Sequence, residues 1–175
     1  MSYIILAILF LLSGFFMKYS DDFFDEKHDL KFASIFGVLC GIVSAIAAVN
    51  DVGAAYIFIA IPIANLLALK IDGIHHVIAL AIFVIICLIF GIPDLNLIVL
   101  LLCIVGGLCD EVGHETIHKV TDNVFLNLFF EYRFVMKIVI FALAFSGAFD
   151  VVVFIYFILF EVAYVFGGIV FEKLN

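Results

Sequence analysis

The chain has 175 residues, 67% of them hydrophobic and 14% charged, with a mean hydropathy of +1.37. A water-soluble domain is nearer half apolar and about a quarter charged, so this composition excludes an ordinary soluble fold. The formal net charge of −8 offers no basic surface for nucleic acid, and because the acids are clustered, the clusters matter more than the total. In lipid every backbone N–H and C=O must be bonded internally, which leaves helices or closed barrels. Barrel strands alternate apolar and polar residues. Stretches such as 78–90 and 97–105 are apolar all round. The expected fold is therefore all-α, a polytopic transmembrane helix bundle in the cell membrane formed by residues 1–175 as a single domain.

Seven apolar runs follow one another, at roughly 3–17, 32–49, 53–69, 77–92, 96–109, 134–149 and 151–171. Several are shorter than the ~20 residues a bilayer requires, so polar ends are expected to extend them into the interface. The first run lacks a positive leader and a small-residue cleavage site, and Lys18 follows it, so a retained helix is expected. Lys18, Lys27 and Lys31 flank the first break, and Lys70 lies in the third. Lys119, Arg133 and Lys137 lie in or beside the fifth, and Lys173 is near the C-terminus. The second, fourth and sixth breaks hold no Lys or Arg and offer little beyond Asp51, Asp94 and Asp150. With seven spans all basic residues fall on one side, which the positive-inside rule makes cytoplasmic. The N-terminus is then outside and the C-terminus inside.

The first inner break carries Asp21, Asp22, Asp25, Glu26 and Asp29. If the first helix continues, these acids share a face by i, i+3/i+4 spacing. Stacked carboxylates repel one another and favour a divalent cation; hard oxygen ligands suit Mg²⁺, which bridges to substrate phosphates. The bland alternative is a solvated acidic loop. The fifth break begins Asp110-Glu111 and continues through His114, Glu115, His118 and Asp122. It reads either as a second acidic metal cluster facing the first or as HExxH. In the latter, His114 and His118 would hold Zn²⁺ and Glu115 would act as general base. A solvated loop is again the alternative.

The third break holds Lys70, Asp72, His75 and His76, which would neutralise phosphate or add a ligand, or merely anchor an interfacial turn. Arg133 and Lys137 would face a diphosphate or serve as positive-inside anchors. The aromatic stretch 124–134 is expected to lie flat at the interface, as a lid or an anchor. Glu161 falls inside the last run; an intramembrane acid is a functional candidate unless it is hydrogen-bonded to a neighbour such as Tyr56 or Asn65. The four cysteines lack CxxC spacing and read as small buried hydrophobes.

Two Asp-rich motifs, each just past a helix end on the same side and four spans apart, resemble those of the UbiA-type membrane prenyltransferases. Asp21-Asp22-x-x-Asp25 stands for the first motif, and Asp110-Glu111 with Glu115 for the second. The resemblance covers most of the chain as topology and two short stretches as sequence. It implies a shortened relative in which Asp21, Asp22, Asp25, Asp110 and Glu111 hold Mg²⁺ and ionise an isoprenoid or lipid diphosphate. Lys70, Arg133 and Lys137 would face the phosphates. Two other classes remain: a zinc-dependent intramembrane hydrolase using His114, Glu115 and His118, and a small transporter or lipid-binding scaffold with Glu161 as its ion site.

Overall fold

The computed structural model describes residues 1–71 and 73–174 and is all-α. Its helices, in order, are α1 (Tyr3–Asp25), α2 (Leu30–Asn50), α3 (Val52–Leu67), α4 (Ile74–Phe90), α5 (Leu97–Val120), α6 (Val124–Glu131), α7 (Phe134–Phe145) and α8 (Val152–Leu174). Each of the seven apolar runs forms a helix, and the aromatic stretch forms α6. Helices are the only economical way to bury so much backbone without water. Their ends are set by short polar side chains. Asp29 caps α2, Asp51 caps α3, Asn96 caps α5 and Asn123 caps α6, each by accepting backbone N–H bonds.

The four helices α1, α2, α5 and α8 are long and apolar enough to cross a membrane. The apolar helices α3, α4 and α7 have 16, 17 and 12 residues. At 1.5 Å per residue α7 rises about 18 Å, short of a hydrocarbon core of about 30 Å. The sequence-based expectation of seven full spans is therefore met in helix order but not in helix length. Large apolar side chains such as Leu88, Ile98, Ile138 and Val162 face outward. An exterior of this kind needs lipid as its solvent, so the chain is a membrane protein by helix length and composition.

Helices α1, α2, α3, α5, α7 and α8 pack in a closed sequence of neighbours, with α8 returning to α1. Helix α4 lies outside this ring against α2. The core clusters around α3, whose Ala54, Ala55, Ile57 and Ala60 are fully buried, and around Phe10, Ile140 and Phe157. Without a hydrophobic force between helices in lipid, close approach depends on small residues. A Cβ on Gly14 would overlap the Phe160 carbonyl, so α1 and α8 meet backbone to backbone there. Gly41 does the same for α2 against Ala79 of α4.

The breaks separate into two ends. At one end the Asn96 N–H donates to the Tyr56 hydroxyl at 2.6 Å, and Phe149 packs on the Tyr56 ring. The acidic and basic breaks gather at the other end.

Candidate functional site

Helix α1 runs eight residues beyond its apolar run, and α5 runs eleven beyond its own. The two acidic motifs thereby become helical turns. Asp21 and Asp25 of α1, with Asp110, Glu111 and His114 of α5, line one cavity of about 300 Å³. Lys18, Lys70 and Arg133 line it too, as do Glu161 and Tyr164 of α8. An apolar cavity of about 90 Å³ adjoins it, lined by Phe58, Pro62, Leu80 and Phe83. Met17, Ile61, Asn65 and His76 form walls of both.

Most of the charges have found protein partners. Lys18 Nζ sits 2.7 Å from Asp22 Oδ1 one turn along α1, and Asp22 is buried there rather than on the cavity wall. Asp110 is 1% exposed and works as a helix cap supplied by another helix. Its two oxygens accept from Val135 N–H at 2.9 Å and Met136 N–H at 2.6 Å. Helix α7 needs this because its own N-cap is Arg133, in left-handed conformation and without a side-chain cap bond. Glu111 accepts from Arg133 Nε at 2.9 Å. Burial works against the Arg133 charge, but Glu111, Tyr164 and Glu161 outweigh it and hold the guanidinium pKa above its ordinary value.

The proposed all-carboxylate magnesium set is thus only partly presented as expected. Asp21 and Asp25 face the cavity, whereas Asp22, Asp110 and Glu111 are held by a lysine, two backbone amides and an arginine. Asp29, expected on the same acidic face, instead caps α2, because α1 ends at Asp25. Lys137 contacts Glu161 at 2.9 Å and also donates to the Tyr132 carbonyl. The intramembrane acid has a lysine for a partner; of the two neighbours considered from sequence, Tyr56 bonds at the other end and Asn65 lines the same cavity as Glu161.

The side chains of the HExxH stretch lie against acidic and basic partners. His114 Nδ1 and His118 Nε2 lie 3.8 and 3.6 Å from Glu131 Oε2 of α6, at a half-open surface. Glu115, the required general base, is 52% exposed and 2.7 Å from Lys70 Nζ. Among the described residues these side chains form no group close enough to share an ion. Asp72 lies outside the described residues.

Among the described residues one such group does occur, and it joins the first and third breaks. Asp21 of α1 with His75 and His76 of α4 offers three ligand atoms within 4.8 Å of one another. The two Nε2 atoms lie 3.8 and 3.9 Å from Asp21 Oδ1. Tyr164 holds the other oxygen, its hydroxyl donating to Asp21 Oδ2 at 3.2 Å. The signal in the sequence was the adjacent histidine pair beside a helix start, read only as a phosphate neighbour or an added ligand.

Compared with protein-family models, curated proteins and solved structures, the chain matches none.

Proposed function

We propose that this is a multi-pass membrane protein whose polar cavity takes the headgroup of an isoprenoid or lipid diphosphate. The reading supposes seven crossings with the cavity on the cytoplasmic side, the three shorter helices being completed by the irregular segments at their ends. The observation that carries it is the cavity itself. Two acidic motifs from distant parts of the chain meet Lys18, Lys70 and Arg133 around about 300 Å³, and an apolar recess opens from the same walls. A headgroup that is anionic and metal-bridged fits the first space, and the start of a hydrocarbon tail fits the second.

The chemistry follows from the side chains. Asp21 and Asp25 supply oxygen to a divalent cation, Mg²⁺ in the reading taken from sequence. Arg133 spends Nε on Glu111, and a guanidinium carries four further N–H donors for phosphate oxygens. Such donors, fixed in a site shielded by lipid, stabilise charge on a departing diphosphate. Prenyl transfer or a related step is the reaction class. A distant, shortened relationship to UbiA-type prenyltransferases agrees with the two motifs facing one space.

Calorimetric titration of the detergent-solubilised protein with a prenyl diphosphate tests this, with and without Mg²⁺. Saturable, metal-dependent binding is expected, weakened about tenfold or more by Arg133→Gln, the loss of a charge-assisted contact worth about 1.5–3 kcal/mol. Absence of binding, or binding indifferent to both magnesium and Arg133, refutes the reading.

A further inference from the structure

His75 is the anomaly of α4. The helix lies outside the ring and buries only this histidine and Phe83. His75 is 1% exposed, yet among the described residues neither ring nitrogen has a hydrogen-bond partner, and Asp21 Oδ1 nearby is buried and equally unpartnered. Leaving a buried polar group unsatisfied costs about 1–3 kcal/mol, and two of these atoms, His75 Nε2 and Asp21 Oδ1, stand 3.8 Å apart, a gap that calls for an occupant. The surroundings hold the ring in place. Phe24 packs on it with centroids 4.4 Å apart, and Gly73 leaves the space that the imidazole fills, since a Cβ there would collide with it.

We propose that Asp21, His75 and His76 form a binding site for a transition-metal dication of the Zn²⁺ or Fe²⁺ class. Imidazole suits these ions, whereas Mg²⁺ prefers oxygen and keeps its waters. Ligands about 2.0–2.1 Å from a tetrahedral ion stand about 3.4 Å apart. The observed 3.8 and 3.9 Å need a contraction of about half an ångström. Two imidazoles and one carboxylate leave further coordination positions open, as in catalytic rather than structural centres. Asp21 and His76 line the polar cavity, so the open positions face it. The Tyr164 hydroxyl orients the carboxylate from behind, the part that outer hydrogen bonds play around metal ligands. This deepens the functional reading and revises it at one residue: the ion at Asp21 is a transition-metal dication, which leaves Asp25 as the cavity's oxygen ligand for Mg²⁺. It rests on that reading only for what the open positions meet; binding of the ion rests on the three side chains alone.

Purified, chelator-stripped protein in detergent, titrated with Co²⁺ and Zn²⁺ alone, provides the test. One ion per chain is expected, with the visible absorption of nitrogen- and oxygen-ligated Co²⁺, displaced by Zn²⁺. His76→Gln, at a half-buried position that tolerates change, should weaken binding at least tenfold, and Tyr164→Phe about tenfold. His75→Gln should do the same as His76→Gln while the melting temperature reports whether it folds. Absence of a bound ion, or binding unchanged in His76→Gln and lost in His114→Ala, overturns the site. Metal binding that persists while prenyl diphosphate fails to bind upholds this site and sinks only the proposed substrate. Diphosphate binding without any transition-metal site does the reverse.

Discussion

Asp21 lies in the last turns of α1 and Asp110 in the second half of α5, and their neighbours give them opposite duties. Both Asp110 oxygens are spent on Val135 and Met136 amides, so its first task is to start α7. Asp110→Ala leaves one buried and one half-buried N–H group without acceptors and should lower stability by about 1–2 kcal/mol, read as a drop in melting temperature in detergent. Asp110→Asn keeps one acceptor oxygen and should recover roughly half of that loss. A metal-ligand role predicts another pattern, with both variants equally defective in ion or ligand binding and Asp110→Asn fully stable. Asp21 keeps one oxygen for Tyr164 and turns the other toward two imidazoles, so it is the acid of the first motif best placed to meet an ion. The pairing of Glu161 with Lys137 likewise recasts an isolated intramembrane acid as half of an ion pair.

At the scale of elements, glycine decides which helices touch. Gly14 lies against the α8 backbone at Phe160, and the bond from Tyr164 to Asp21 is made one to two turns further along the same contact. Gly14→Leu must push α1 and α8 apart or rotate them. A loss of about 1–3 kcal/mol is expected from overpacking alone. Ligand or metal binding should fall with it, because Asp21 and Tyr164 ride on the separated helices. Gly147→Ala is the contrast. That residue has φ +80 but open space around it, so a change there strains a turn at the far end without moving the site. If Gly14→Leu melts like wild type, the close approach of α1 to α8 is not needed for the fold. Helix α6 belongs to another class: it buries none of its residues, and its Glu131 is what His114 and His118 face.

For the whole molecule, the two ends of the bundle differ in charge, and topology follows from that difference if the chain obeys the positive-inside rule. Single cysteines at position 51 and position 118, in a background with Cys40, Cys87, Cys103 and Cys109 replaced by alanine, should label from opposite sides of sealed vesicles. Labelling of both from one side would remove the seven-crossing arrangement. Cys109 is exposed, so the native thiols must go first.

Composition and its patterning determined that this chain is helical and suited to lipid: backbone hydrogen bonds there are satisfied only in helices or closed barrels, and runs that are apolar all round lack the alternation of barrel strands. The order of helices, the amphipathic segment before Arg133 and the gathering of charge at alternate breaks were also legible, since each is a local pattern. What remained hidden was the rotation of each helix. In a soluble protein a polar stripe shows which face points out, but here lipid and core are both apolar, and hydrophobic periodicity cannot orient a helix such as α4. For that reason spacing grouped Asp22 with Asp21 and paired His114 with His118 as ligands. The packing instead gave Asp22 to Lys18 and faced the two histidines to Glu131. The meeting of His75 and His76 with an acid more than fifty residues earlier was decided only when α1 and α4 both packed against α2, at a distance in sequence that no local pattern spans.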